Sequence, residues 1–182
     1  MVELLRHPSL RRDIIRTGRA SRASRIVEDD VSLVADDAPM PEHGRVLVSL
    51  ERATREHELL SARPERFGVR VPGETEPEAI LDALGGSLAS LDLIAIVIPK
   101  STDGRHFSLA RLLRERHDFR GELRACGDVL PDQLFFMQRC GYTAFELRAD
   151  KSLATGLRAL EAFTVTYQGS ADDPRPLWRR RG

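Results

Sequence analysis

Residues 101–105 (Ser-Thr-Asp-Gly-Arg) combine the side chains with which proteins commonly hold an anion. Glycine lets a ligand approach the backbone, hydroxyl and amide groups donate hydrogen bonds, and arginine binds an oxyanion through two parallel N–H groups. Ser108 adds the amino end of the next predicted helix, where the helix dipole favours negative charge. The same residues also suit a turn that leads into a helix capped by Ser108, so both interpretations stay open. The stretch predicts an anion-binding or partner-binding site formed by Thr102, Asp103, Gly104, Arg105 and Ser108.

Two carboxylates follow in the next part of the chain, Asp128 and Asp132, with Gly127 and Gln133 beside them. Carboxylates at this spacing can share acid–base work or hold a metal ion, which makes Asp128 and Asp132 the candidate catalytic residues. Gly127 and Gln133 join the predicted anion-binding or partner-binding group. A structural role competes with catalysis, because Pro131 begins a predicted helix whose first turn favours the carboxylate of Asp132. Asp128 can likewise cap that helix or pair with an arginine.

Arg124 stands inside a predicted strand, residues 121–126, that we otherwise expect to be buried. A buried guanidinium needs an acidic partner, and we expect that partner to be Asp128, Asp103 or Glu146. Such a pair would order the two polar loops without taking part in catalysis. If the guanidinium instead faces a ligand, Arg124 belongs to the anion-binding or partner-binding group.

The elements that position these residues are alternating strands and helices from residue 45 onward. Residues 93–98 form a continuous apolar run, which is typical of a central strand buried on both faces. The pattern predicts an α/β fold of repeated βα units with a mainly parallel sheet, either an incomplete βα-barrel or an open doubly wound sheet. In both arrangements ligands bind at loops that leave the carboxyl ends of strands, where both polar groups fall. Further strands are predicted at residues 46–50, 67–71, 121–126, 144–148 and 164–168, with helices between them that include residues 51–61 and 77–91.

The chain divides into four parts by composition. Residues 1–26 carry seven arginines against two acids, and we expect a flexible basic arm in which Ile14 and Ile15 contribute to a weak amphipathic face. Residues 27–44 are predicted to be an acidic arm or a short strand, residues 45–169 the α/β domain, and residues 170–182 a flexible tail. The candidate site therefore lies wholly within the predicted α/β domain.

The composition argues against several classes of function. With 28 basic and 28 acidic residues the net charge is zero, so no overall field attracts nucleic acid or an acidic membrane. No apolar run approaches the roughly 18 residues of a membrane span, and we expect neither a membrane span nor a nucleic-acid partner. The histidines show no metal-ligand spacing, and the sequence contains no phosphate-binding or dinucleotide motif. The residues therefore name no metal and no cofactor.

The cysteines of the chain are Cys126 and Cys140. Their number and spacing match neither a disulfide framework nor a zinc site, which favours a cytoplasmic protein. The two thiols would act as a redox pair if they were close in space. The alternative is that each thiol fills a small buried apolar position.

Six short motifs follow one another in close order: TDGR at 102–105, SLARLLR at 108–114, GELRA at 121–125, GDVL at 127–130, DQ at 132–133 and RCG at 139–141. Over residues 102–147 the chain is similar to a bacterial domain-of-unknown-function family whose genes commonly lie beside sulfite reductase in sulfur-assimilation clusters. Some members of that family carry the label oxidoreductase. The resemblance implies a pathway, and it brings no catalytic residues with it.

Three hypotheses of function follow from the residues and the resemblance together. The first is an accessory protein of assimilatory sulfite reduction that binds sulfite reductase or its electron carrier. The second is a small α/β enzyme acting on an anionic metabolite, with Arg105 and Arg124 holding the anion and Asp128 or Asp132 as the acid–base group. The third is a non-catalytic structural or oligomerisation module, for which a homodimer would cover the open edges of an incomplete barrel.

Overall fold

A single β-sheet with helices packed against it organises the part of the chain that can be described. The structure is a computed structural model, and it describes residues 13–18, 23–163 and 165–180. None of the described helices is both long enough and apolar enough to cross a membrane. The strands are β1 (Asp13–Thr17), β2 (Ser24–Glu28), β3 (Val31–Leu33), β4 (Arg45–Ser49), β5 (Phe67–Pro72), β6 (Leu91–Ile98), β7 (Glu122–Gly127) and β8 (Ala144–Phe145). The helices are α1 (Leu50–Arg55), α2 (His57–Ser61), α3 (Pro77–Ala83), α4 (Arg105–Glu115), α5 (Leu134–Arg139) and α6 (Leu153–Leu160), with 3-10 turns at Pro131–Gln133 and Leu177–Arg179.

The described strands pair in the order β2-β1-β8-β7-β6-β5-β4-β3. From β3 to β8 the neighbours are parallel and follow the order of the chain. β1 pairs antiparallel with β8, and β2 pairs antiparallel with β1, so the sheet is mixed and mostly parallel. Among these strands the order never reverses, whereas a doubly wound sheet reverses its order at the crevice where ligands bind. The sheet curls into a half-barrel, and the predicted α/β class is confirmed.

The two edges of this sheet meet at one point. The edge strands β2 and β3 follow each other in the chain, and Asp29 and Asp30 alone separate them. Three peptide steps span at most about 11 Å, so the end of β2 and the start of β3 lie within that distance. The concave face of the sheet is therefore enclosed where these two strands meet.

Side chains of each strand alternate between the convex face, which the helices cover, and the concave face. In β6, Ile94, Ile96 and Ile98 belong to the main core together with residues of the helices. Leu93 and Ala95 point the other way and belong to a second, smaller cluster. Because both sets are shielded from solvent, the continuous apolar run of residues 93–98 is explained. The predicted central strand is confirmed.

Arg124 lies on the concave face of β7, and its side chain is only 2% exposed. Its Nη1 donates to Asp29 Oδ2 at 2.7 Å, and its Nη2 lies 2.8 Å from Glu122 Oε1. Desolvation lowers the pKa of the guanidinium, but the carboxylates of Glu122 and Asp29 outweigh it and the net shift is upward. The predicted need for an acidic partner is confirmed.

Two further arginines carry this ion-pair network across the sheet. Arg16 on β1 lies 2.6 Å from Asp30, and Arg45 on β4 lies 3.1 Å from the same carboxylate. Arg16 also pairs with Glu122 at 2.9 Å, and Arg45 pairs with Asp92 at 2.8 Å. Because β1 and β4 lie on opposite sides of the central strands, the network ties the two halves of the sheet together near the amino ends of β4, β6 and β7.

Several predicted element boundaries were wrong. The helix expected over residues 51–61 is divided into α1 and α2. The helix expected over residues 77–91 ends at Ala83, and Gly85 follows it with a φ of +68°, a conformation that favours glycine. The last strand, expected at residues 164–168, does not form over the described residues 165–168, and residue 164 lies outside them.

Part of the segment expected to be a flexible basic arm belongs to the sheet. β1 and the first three residues of β2 fall within residues 1–26, and β1 places Ile14 and Ile15 in positions that are fully shielded from solvent. These two residues therefore lie in a strand and not on the amphipathic face of a loose arm. Residues 1–12 and 19–22, which hold most of the arginines of that segment, lie outside the described residues.

Candidate functional site

Three neighbouring loops bring most of the predicted site residues together. They leave the carboxyl ends of β6, β7 and β8, which are adjacent parallel strands, so the loops lie side by side. We refer to residues 99–105, 127–133 and 146–152 as the loop surface. This is the edge of a parallel sheet at which α/β proteins usually bind ligands.

Asp128 joins all three loops of the loop surface. Its Oδ2 accepts a hydrogen bond of 2.8 Å from the backbone N–H of Ser101, and its Oδ1 accepts one of 2.8 Å from Arg148 Nη1. The Ser101 N–H is the main reason why the pKa of Asp128 is lowered, and Arg148 adds to the effect. The carboxylate therefore stays ionised at neutral pH and holds the loops in place.

Gly127 allows the backbone to turn immediately before Asp128. Its φ is +99°, which favours glycine, and a side chain at this position would collide with the carbonyl oxygen of Ile98. Gly127 is thus required for the close approach of β7 to the end of β6, after which the Asp128 N–H donates to Ile98 O at 2.8 Å.

Gln133 holds the first loop from the other side. Its Nε2 donates to the carbonyl oxygen of Ser101 at 2.8 Å. Its Oε1 is shielded from solvent and accepts no hydrogen bond within the described residues. Ser101 is therefore fixed through its N–H by Asp128 and through its carbonyl by Gln133.

Asp103 and Arg105 form an exposed pair on the first loop. Asp103 Oδ1 accepts from the Arg105 backbone N–H at 3.1 Å, and Arg105 Nη2 lies 2.6 Å from Asp103 Oδ2. Hydrogen bonds from Arg105 lower the pKa of Asp103 to about 2. The Arg105 side chain is 63% exposed, so its charge is accessible to a ligand or partner that can replace Asp103.

The helix that follows this loop begins earlier than expected. α4 starts at Arg105 with Gly104 as its N-cap residue. The prediction that Ser108 caps the helix is wrong, because Ser108 lies inside α4, where its side chain is exposed. Thr102 is likewise exposed on the loop.

Asp132 lies in the 3-10 turn that Pro131 begins, at the start of α5, as the sequence predicts. It is exposed and does not meet Asp128 in a shared site, since Asp128 binds Ser101 and Arg148. Asp132 instead borders an open groove of about 510 Å³. The groove is lined by Asp132, Arg148 and Lys151 and by the apolar residues Leu130, Pro131 and Ala159.

Arg124 is not part of the loop surface. The expectation that it pairs with Asp128, Asp103 or Glu146 is wrong, because the sheet curls and brings Asp29 of the β2–β3 connection onto it. Its Nε and Nη groups are engaged by Glu122 and Asp29. The guanidinium therefore belongs to the ion-pair network near the amino ends of the strands and does not order the loops.

The two cysteines are free and buried, on different elements. Cys126 lies in the concave-face cluster of β7, and Cys140 follows the end of α5. Burial raises the pKa of each thiol to about 11. Both thiols therefore stay protonated at neutral pH, which agrees with the interpretation that each fills a buried position and not with a reactive redox pair.

His106, which is buried, and Arg70, which is partly buried, are two polar residues for which the sequence predicted no role. His106, in the first turn of α4, is 1% exposed and bonds to Tyr142. Arg70 is the charged residue of β5, in which Phe67, Val69 and Val71 face the helices. The sequence of β5 could have predicted the position of Arg70. Phe67, Val69 and Val71 alternate with it along the strand and face the helices, so Arg70 must face the concave side. No comparable signal marks His106.

The chain was compared with known protein families, curated proteins and solved structures. Residues 68–178 match the family described as bacterial protein of unknown function (DUF934), which is more than half of the chain. The chain belongs to this family. No curated protein and no solved structure matches it.

The family match confirms the resemblance carried by residues 102–147 and extends it on both sides. The matched region begins in β5 and includes the whole loop surface, Arg70 and His106. β1 to β4 lie before it, so the arginines at positions 16 and 45 of the ion-pair network lie outside the matched region.

Proposed function

We propose that this protein is a cytoplasmic accessory protein of assimilatory sulfite reduction that docks on sulfite reductase or its electron carrier through the loop surface. The pathway is what the family resemblance implies, and the docking role follows from the way the loop residues are held. Both steps can be tested separately.

The hydrogen bonds of Asp128 are the reason for proposing a docking role and not catalysis by this residue. A general acid works best with a raised pKa, and a general base needs a lone pair directed at its substrate. Asp128 has a lowered pKa, and its two oxygens are bound to Ser101 and Arg148. A carboxylate used in this way stiffens the three loops, and a stiff surface loses less conformational entropy when it binds a partner.

The exposed charges of the loop surface supply the means of recognition. Arg105 and Arg148 have side chains that are 63% and 44% exposed, and each is paired with an aspartate of the same surface. A partner with an acidic patch can exchange these pairs for intermolecular ones at little cost, which favours specificity and a fast association rate. We therefore expect binding that weakens as the salt concentration rises.

The test is a pulldown of the tagged protein from its native cells, grown on sulfate as the sole sulfur source. We expect sulfite reductase or its electron carrier to be recovered with the wild type and lost with Arg105→Ala. Arg66→Ala is the matched control, because Arg66 is also exposed but lies before the amino end of β5, away from the loop surface. Purified protein added to purified reductase should change sulfite turnover only when Arg105 is present.

Two results would contradict the proposal. If the tagged protein is recovered alone, at low salt and from cells that contain active reductase, the proposed binding to the reductase or its electron carrier is refuted. If the partner is recovered equally with Arg105→Ala and Arg66→Ala, the partner is supported but the loop surface is refuted as its docking site.

A small α/β enzyme acting on an anionic metabolite is the second candidate, and the groove beside the loop surface favours it. Asp132 borders that groove and is exposed, and Arg148 and Lys151 supply positive charge at its rim. Turnover of an anionic metabolite by the purified protein alone, lost with Asp132→Asn, would replace the first proposal. A binding signal without turnover would leave the docking role in place.

A structural or oligomerisation module is the third candidate. Phe136 on α5 and Phe163 after α6 are 55% and 60% exposed, and large aromatic side chains are enriched at protein interfaces. Sedimentation of the purified protein distinguishes a homodimer that uses these residues from a monomer, since Phe136→Ser would then shift the equilibrium toward the monomer.

A further inference from the structure

Arg70 occupies the concave face of the sheet, two residues before β5 ends. It pairs across the sheet with Ala95 of β6, which in turn pairs with Arg124 of β7. Two arginines therefore stand on either side of Ala95 in one row of the concave face. Arg124 is neutralised by Asp29 and Glu122, as described above.

Arg70 has no such neutralising partner. Within the described residues it forms no ion pair, and its Nε is shielded from solvent and donates no hydrogen bond. Its neighbours on the concave face include the thiol of Cys126 on β7, near which the carboxylate of Glu146 also lies. That thiol donates to the carbonyl oxygen of Ile96 at 3.5 Å and is fully buried in an apolar cluster, so it remains neutral. A neutral thiol cannot compensate the charge of a guanidinium.

A shielded N–H that donates no hydrogen bond is costly, and in Arg70 this group is the Nε–H of a guanidinium that forms no ion pair within the described residues. Arginine binds an oxyanion through its Nε–H and one terminal N–H, which together form a fork. In Arg70 the Nε–H, one half of that fork, is unused. The side chain as a whole is partly exposed and lies toward the carboxyl ends of the strands, the end from which ligands enter barrel-like sheets.

We propose that Arg70 is the anchor of a binding site for a small oxyanion on the concave face of the sheet, beside Cys126. The ligand class is a free sulfur or phosphorus oxyanion or the carboxylate of a small metabolite, because all three offer two oxygens to the guanidinium fork. Cys126 lines the site as a neutral thiol and takes no part in a covalent step. The site goes beyond the proposed docking function, since it lies inside the sheet and would bind its anion whether or not a protein partner is present.

The experiment follows the melting temperature of the purified full chain in rising concentrations of sulfite, sulfate, phosphate and acetate. Sodium chloride at equal ionic strength is the reference, since it separates specific binding from general screening. A ligand that binds the folded state raises the melting temperature with its concentration. We expect at least one of the four oxyanions to do so beyond chloride, and the order among them identifies the source of the oxyanion.

Three variants locate the effect. Arg70→Gln should weaken the apparent affinity by about tenfold or more, since it removes both the charge and the fork. Arg70→Lys keeps the charge and loses the fork, so it should bind the anion more weakly than the wild type. This variant replaces Arg70→Gln in the experiment if Arg70→Gln does not fold. Arg66→Gln removes an exposed arginine before β5 and should bind the anion like the wild type.

The proposal fails if none of the four oxyanions raises the melting temperature of the wild type beyond chloride. It also fails if Arg70→Lys and the wild type respond equally, because the anion then binds elsewhere. A purely structural role for Arg70 would lower the melting temperature by the same amount with and without the anion. These outcomes do not depend on recovery of a protein partner, so they distinguish this site from the docking proposal.

Discussion

Protonation of His106 is expected to destabilise the folded chain in mildly acidic solution. The Tyr142 hydroxyl donates to the His106 carbonyl oxygen at 3.2 Å and also lies 3.2 Å from His106 Nδ1. Because the hydroxyl hydrogen is used, Nδ1 carries a hydrogen and donates to the Tyr142 oxygen. The other ring nitrogen, Nε2, is shielded and makes no hydrogen bond within the described residues. Adding a proton there would place an unpaired charge in the core.

The size of this effect follows from the pKa of the imidazole. Burial lowers the pKa of His106 from 6.5 to about 4, and the charge of nearby Asp103 opposes this only in part. The unfolded chain therefore takes up the proton first as the pH falls. The stabilisation is fully present above pH 6.5 and is lost between pH 6.5 and about 4. At about pH 5 the loss amounts to about 2 kcal/mol, and it approaches about 3 kcal/mol below pH 4.

The assay is urea denaturation at about pH 7.5 and about pH 5, from which the free energy of unfolding is obtained at each pH. We expect the wild type to lose about 2 kcal/mol more between these two values than His106→Gln, which cannot take up this proton. His43→Gln, in the exposed segment before β4, is the matched control and should lose as much as the wild type. If His106→Gln shows the same pH dependence as the wild type, the reasoning from the buried Nε2 is refuted.

Two further predictions concern charged residues at opposite ends of the sheet. Asp128→Asn should lower the free energy of unfolding by about 1–2 kcal/mol because it weakens two hydrogen bonds to a charged group. Asp132 is exposed, so Asp132→Asn should change this free energy by less than about 0.5 kcal/mol. Equal effects of the two substitutions in urea denaturation would show that Asp128 does not hold the loops in place. Arg124→Met should cost about 3–5 kcal/mol because it removes the partner that binds Asp29 most closely and leaves Arg16 as the remaining partner of Glu122. A loss below about 1 kcal/mol in the same assay would mean that the ion-pair network adds little.

The features that the sequence predicted correctly depend on near neighbours in the chain. The apolar run of residues 93–98 predicted a strand buried on both faces, since this pattern needs no knowledge of the rest of the fold. Pro131 was placed correctly at the start of the turn that leads into α5 for the same reason, because proline restricts the backbone locally.

The features that were missed depend on distant parts of the chain. Arg124 was expected to be buried and paired, and it is, but its partner Asp29 lies 95 residues away. That contact forms because the sheet curls until its edges meet, which no local pattern encodes. The same curl turns Arg70 toward the inside of the sheet and leaves it facing a thiol. The sequence carried no signal for His106, because its buried contact is with Tyr142, 36 residues later.

The two ends of the sheet therefore use charge for different purposes. Near the amino ends, Arg16, Arg45 and Arg124 share carboxylates across several strands, and the guanidinium of Arg124 at their centre is only 2% exposed. At the carboxyl ends, Arg105 and Arg148 pair with acids of their own or neighbouring loops and stay accessible to solvent. Exposed pairs contribute little to stability, so these two arginines can be exchanged for contacts to a partner at small cost. A barrel-like sheet separates stability from recognition in this way, because its loops vary at one end while its core and ion pairs hold the other.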